Sequence, residues 1–243
     1  MIELKVPGMI VRKSSDRIST EGYLQSIRQQ LSPLGFNVES TLACVSTCRD
    51  ELCQPFVEEV KNSWGEAFDL NGLGGIPIGG LTAVTAASHH APEVDGKRRI
   101  LFIGLAHVAL GADGTIGDVE RLGTLGPSRA CGALVRFCEE LSEVHADESP
   151  PIDSDDIEYS NLRNKLLRNI SVYGDESQSL WDITLRAEEE IFSDLTRLAK
   201  EILDPTVYDY SINTGILIHM PDGSDLVEPH HSIVVLDGKF RNN

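Results

Sequence analysis

The stretch VSTCRDELCQPF, residues 45 to 56, ends an apolar run with a thiol, a cation and a carboxylate in three successive positions, Cys48, Arg49 and Asp50. Two more thiols, Cys44 and Cys53, lie close on either side. Further on, His107 closes a second apolar run and Cys131 stands near the start of a later amphipathic segment. Two thiolates and one imidazole make a three-ligand set for zinc that leaves a fourth position for water. The intervals, 59 residues from Cys48 to His107 and 24 from there to Cys131, are too long for a zinc knuckle. Spacing therefore leaves two readings open: a metal site, or two small buried thiols and a hydrogen-bonded core histidine.

These residues act together only if the elements between them bring them to one place. TEGYLQSIRQQLSPLGF predicts a helix over about residues 20 to 32, ended by Pro33 and Gly35. STLACVST predicts a buried strand over about residues 40 to 47, and CQPFVEEVKNSWGEAF a helix after it, so Cys48 sits where strand gives way to helix. Residues 100 to 106 of KRRILFIGLAH read as a second buried strand ending at His107. SRACGALVRFCEELSEV predicts a helix capped by Ser128, with Cys131 in its first turn, where the positive helix end favours a thiolate. In an open α/β sheet, ligands bind beyond the carboxyl ends of the strands, which puts Cys48 and His107 in one crevice with Cys131 able to join them.

Five glycines between positions 72 and 80 form a loop that opens a helix at 81 to 88. It is either a backbone-approach or anion-cradling loop or a plain connector, because neither GxGxxG nor GxxxxGK[ST] is present. ADGT at 112 to 115 is a turn, TIGDVERLG a short exposed strand, and residues 145 to 156 an acidic loop with paired prolines. It leads to a helical flank over about 157 to 203, and the chain ends in two strands around a PDG turn. The alternation predicts one α/β domain over residues 1 to 243, a mostly parallel central sheet with flanking helices and an N-terminal helical arm to about residue 35.

Composition excludes several classes of function. A formal net charge of −17 would repel a phosphate backbone, which argues against nucleic acid. No run approaches the roughly 18 apolar residues of a membrane span. Five cysteines without a secretory leader argue for reduced thiols and an intracellular, cytoplasmic setting, with a plastid open if a transit peptide was removed.

CRDE at 48 to 51, the loop GLGGIPIGG followed by SHHAP, and above all AHVALGADGTIGDVERLGTLGPSRACGA at 106 to 133 resemble the limiting-CO2-inducible B/C family, also called theta-class carbonic anhydrases. NTGILIH at 213 to 219 resembles that family's C-terminal strand, so the likeness spans roughly residues 35 to 240. The resemblance implies a fold like that of β-class carbonic anhydrases, Zn2+ held by Cys48, His107 and Cys131, and reversible hydration of CO2 to bicarbonate. A zinc-holding, non-catalytic partner protein is the alternative it leaves. A homodimer or higher homo-oligomer is also implied. Cys48-Arg49-Asp50 further resembles the β-class C-x-D-x-R motif, whose carboxylate pairs with an arginine and accepts a hydrogen bond from water on the metal. Position 52 here is Leu52, so Arg49 becomes the first choice as partner of a catalytic Asp50, with Arg121 and Arg129 as alternatives. Asp50 filling the fourth metal position itself would be a closed, inactive state.

The remaining polar residues carry milder expectations. Cys53 is a rival ligand, and Cys44 and Cys138 are core thiols. His89 and His90 are either proton shuttles or a helix-terminal pair. His219, His230 and His231 read as strand or rim residues, His145 as a loop residue, and Trp64 and Trp181 as packing anchors.

Overall fold

The computed structural model describes residues 10–11, 16–121, 126, 128–141, 150–173 and 178–241; His145 lies outside them. Two short strands, β1 (Ile10–Val11) and β2 (Ile18–Ser19), precede α1 (Thr20–Leu31). β3 (Thr41–Ser46) leads to α2 (Gln54–Trp64) and β4 (Ala67–Asp69), then α3 (Gly80–His90), β5 (Glu93–Val94) and the long β6 (Lys97–Ala109). β7 (Asp118–Val119) and β8 (Ser128–Arg129) form a small ribbon before α4 (Gly132–Glu140), α5 (Ile157–Tyr173) and α6 (Leu180–Ile202). β9 (Tyr208–His219), β10 (Leu226–Leu236) and β11 (Lys239–Arg241) end the chain.

The sheet runs β1-β10-β9-β6-β3-β4. The predicted adjacency of residues 40 to 47 and 100 to 106 holds: β3 pairs with β6 in parallel, Thr41 to Ser46 against Arg99 to Gly104. β4 and β9 extend the parallel core on either side, and the β9–β10 hairpin around the PDG turn adds an antiparallel edge. The apolar runs are continuous because both faces of the central strands are covered: all of β3, and β6 from Ile100 to Ala109, is buried.

α6 packs on β6 and β9 and presents Glu188, Ile191, Leu195 and Leu198 at helical spacing inward, its start fixed by a capping box of Ser179 and Asp182. It approaches so closely that a Cβ at Gly104 would stand 2.4 Å from Ile191 Cγ2. The predicted flank is thus the cover of the sheet. α1 and α2 pack together, α1 also on β10 and α2 on β3.

Several details differ from the sequence reading, among them the strand read over 100 to 106, which runs from Lys97 to Ala109. The helix after β3 stops at Trp64, because Gly65 takes a left-handed φ of 83° and Ala67–Asp69 then pairs as an edge strand. Ser128 does not cap α4; it is held in β8 opposite Val119, and Cys131 is the N-cap, one residue before the helix rather than inside its first turn. The glycine loop makes close backbone approaches and is not a free connector: a Cβ at Gly72 would stand 2.1 Å from the Ile76 carbonyl oxygen. Ser46 Oγ donates to the carbonyls of Leu70 and Gly75, and Thr47 N–H and Oγ1 both donate to Asn71 Oδ1, at 2.8 and 3.0 Å, so the loop is bound to the end of β3.

Candidate metal centre

Strand lengths create the site. β3 ends at Ser46 opposite Gly104, whereas β6 and β9 continue together to Ala109 and His219. His107 therefore projects beyond the end of β3, level with the chain that leaves β3 through Cys48. The excursion after β6 returns Cys131 to the same place: Gly117 N–H donates to the Ala109 carbonyl at 2.7 Å, and Ala130 N–H donates to the Gly117 carbonyl at 2.9 Å. Gly117 has a φ of 95° and its missing Cβ would lie 2.5 Å from Leu180 Cδ2, so glycine suits both the turn and the packing.

One ligand atom from each of Cys48, His107 and Cys131 lies within 4.8 Å of the other two, and all three residues are buried. The two sulfurs stand 3.4 Å apart, far beyond a disulfide bond and near the roughly 3.8 Å between two thiolates on one tetrahedral zinc. His107 Nδ1 is 3.0 Å from His219 Nε2, which leaves Nε2 to face the sulfurs. That Nε2 is buried with no hydrogen-bond partner among the described residues, as a nitrogen reserved for a metal would be. A soft, nitrogen-and-sulfur donor set with one orphaned nitrogen fits zinc.

The charges follow from this crowding. Cys48 is lowered to about 4, first because Cys131 donates to its sulfur; burial opposes the shift, and His107 and the Asp50 N–H add to it. Cys131 is raised well above its ordinary value because it holds the proton shared with Cys48 and is buried. Burial works against charge on His107, but the Cys131 and Cys53 sulfurs outweigh it and raise its pKa well above 6.5.

Asp50 caps the single turn Glu51–Cys53 by accepting from Leu52 N–H at 3.2 Å. Its partner is Arg121 and not Arg49: Arg121 Nη2 lies 3.0 Å from Oδ1 and 2.9 Å from Oδ2. Arg49, the first choice from sequence, turns the other way and holds Glu158 through Nε at 2.9 Å, and Glu158 in turn accepts from Leu73 N–H. Arg129 pairs with Asp118. Burial would raise the Asp50 pKa, but Leu52 N–H, His107 and Arg121 prevail and hold it below the usual carboxylate value.

The family described as limiting CO2-inducible proteins B/C beta carbonic anhydrases matches residues 17–236. The chain belongs to that family. The crystal structure of limiting CO2-inducible protein LCIB superposes with a TM-score of 0.79 at 26% identity, covering 93% of this chain and 92% of that one. That of PtLCIB4, a homolog of LCIB, superposes with a TM-score of 0.81 at 22% identity, covering 94% and 95%. No curated protein matches.

In this member of the B/C family the other predicted residues separate. Cys53 does not group with the sulfur pair; its Sγ lies 4.0 Å from His219 Nε2, and Cys53, His107 and His219 form a second buried cluster with one ligand atom from each within 4.8 Å of the others. His89 and His90 are exposed at the end of α3, next to Ser88, whose carbonyl accepts from Arg98. Arg98 stands at the start of β6 and His107 near its end, ~30 Å apart at ~3.3 Å per residue, so this pair is not beside the centre. Cys44 and Trp64 are core, Cys138 is half-buried against the Gln178 carbonyl, and Trp181 carries Arg17 over its ring at 5.3 Å. His230 and His231 bond the fully buried Glu188.

Of the strand-or-rim alternatives for His219 the strand holds, as it ends β9, but the sequence reading did not bring it to the site. It is 4% exposed and touches His107 directly. The available signal was period two: Leu217 is the partner of His107 in the ladder, so His219 shares its face. That inference needs the parallel register, which no local pattern supplies.

Proposed function

We propose that the protein catalyses zinc-dependent, reversible hydration of CO2 to bicarbonate. The observation that carries this reading is the convergence of Cys48, His107 and Cys131 beside a carboxylate whose two oxygens are both held by one arginine. Zinc on these donors would supply the Lewis acidity that makes hydroxide available from water near neutral pH for attack on CO2.

The chain's own residues supply the rest. Cys48 and Cys131 offer charge and softness that select zinc over a hard cation. Arg121 and Leu52 N–H grip Asp50, keep it ionised and restrain it from joining the donor set, so the fourth position stays open to water. Asp50, with both oxygens acceptors, would take a hydrogen bond from water held there and so orient it toward the carbon of CO2. A grip on both carboxylate oxygens also speaks against the closed state in which Asp50 binds the metal. The homodimer implied by the resemblance belongs to the same reading.

Metal analysis together with stopped-flow hydration on the purified protein tests it. About one zinc per chain and hydration lost in Cys131→Ser are expected. Absence of zinc sinks the reading, and zinc without hydration between pH 6 and 9 makes the chain a zinc-holding, non-catalytic protein.

A further inference from the structure

Behind His107 stands a second row of polar groups that the proposed chemistry does not use. His219 Nε2 faces His107 Nδ1 at 3.0 Å, and His219 Nδ1 faces Asp225 Oδ2 at 2.8 Å. Asp225 lies in the turn between β9 and β10, where its other oxygen accepts from Met220 N–H at 3.3 Å, so the carboxylate is fixed to the backbone. The two imidazoles are buried and meet edge to face, with ring centroids 5.2 Å apart.

We infer that Asp225 and His219 are positioning residues that hold His107 in the tautomer able to bind a metal. A carboxylate accepts and does not donate, so the Asp225 contact requires the proton of neutral His219 on Nδ1. His219 Nε2 is then an acceptor, and His107 must offer it Nδ1–H. That choice places the His107 lone pair on Nε2, the buried nitrogen that faces Cys48 and Cys131. Two imidazoles, each with one proton to place beside an ionised carboxylate, thus have one consistent arrangement, and it presents a lone pair to the sulfur pair. A histidine ligand backed by an acceptor at its far nitrogen is the arrangement in which ring orientation and basicity are set from outside the donor set.

The inference rests on the zinc reading above, and the test separates the two. Zinc affinity is measured at pH 8 by competition with a chromogenic chelator, and the imidazole protons of the zinc-loaded protein are located by 15N NMR on histidine-labelled chain. His219→Leu removes the acceptor and should weaken zinc binding about 10–100-fold. His219→Gln can return a carbonyl oxygen to the same place and should recover most of that loss. Asp225→Asn should weaken zinc more than Asp225→Ala, because an amide N–H can donate to His219 Nδ1, move its proton to Nε2 and drive the His107 proton onto the nitrogen that must bind metal. A purely structural role predicts the reverse order, alanine being the larger deletion. In the zinc-loaded wild type the 15N spectra should show one proton on His107, at Nδ1, and one on His219, at Nδ1.

Wild-type protein that binds zinc while His219→Leu binds it equally well overturns the relay and leaves the enzyme reading standing. Zinc-loaded wild type with the His219 proton on Nε2 instead of Nδ1 overturns the relay too. Failure of the wild type to bind zinc at all overturns both.

Discussion

At the scale of single residues, the proposed reaction gives Asp50 and Cys131 different roles, and substitution should part them. Asp50→Asn keeps its size but offers an NH2 where an acceptor is needed, so it should retain zinc and lose CO2 hydration by about 10–100-fold. Cys131→Ser should lose zinc and hydration together. Metal analysis and stopped-flow rates on the same preparations decide between them; an Asp50→Asn protein that loses its metal would make Asp50 a ligand or a support instead. Arg121→Ala frees both oxygens of Asp50 and should lower the rate with zinc retained, measured the same way. Two of the three candidate ligands were legible in the sequence because Cys48 ends a strand pattern and His107 ends another. Arg121 was legible only as one of three arginines, since which cation reaches Asp50 depends on a loop that folds back across 71 positions.

At the scale of elements, the centre depends on how the glycine loop and the β7–β8 ribbon dock on β6. A Cβ at Gly75 would stand 2.5 Å from the Leu105 carbonyl oxygen, and one at Gly117 the same distance from the tip of Leu180. Both have positive φ, so alanine is strained at either place, by roughly 1–3 kcal/mol. Backbone yields less than a leucine methyl, so Gly75→Ala should lower the urea midpoint more than Gly117→Ala. Gly117→Ala should show its effect in zinc affinity instead, because Gly117 carries the Ala130 hydrogen bond that seats Cys131. Equal midpoints for the two variants would mean that the loop shifts freely on β6.

At the scale of the whole molecule, α6 is tied to the hairpin β9–β10 through a buried charge. Glu188 accepts from Thr214, His230 and His231 while fully buried. Burial alone would raise its pKa, but the bonds from His230 and His231 prevail and bring it from 4.5 to about 2. A lowered carboxylate stabilises the fold above its unfolded value, and that contribution fades as pH falls from about 4.5 to about 2, on the order of 3 kcal/mol in all. His230 runs the other way: burial opposes its charge, Glu188 outweighs it and raises the pKa, so its contribution is full below 6.5 and fades as pH rises through the raised value. Urea titrations against pH should therefore show wild type losing stability more steeply than Glu188→Gln between about pH 4.5 and 2. Parallel slopes would remove this cluster from the acid response. No described helix is long and apolar enough to cross a membrane. The proposed dimer is checked by sedimentation velocity at micromolar concentration, where a monomer counts against it.

The sequence by itself determined the alternation of strands and helices, the parallel core and the position of Cys48 at a strand end. Each of these is written in local periodicity, and the continuous apolar runs of β3 and β6 report burial on both faces wherever their partners come from. Only the tertiary structure decided that Arg121 and not Arg49 holds Asp50, that His89 and His90 stand away from the centre, and that His219 and Asp225 stand behind His107. The physical reason is register and reach. His107 and His219 are 112 residues apart in the chain and meet because two parallel strands happen to align Leu217 with His107, a pairing chosen by the packing of the whole sheet under α6 and invisible to any window of sequence around either histidine.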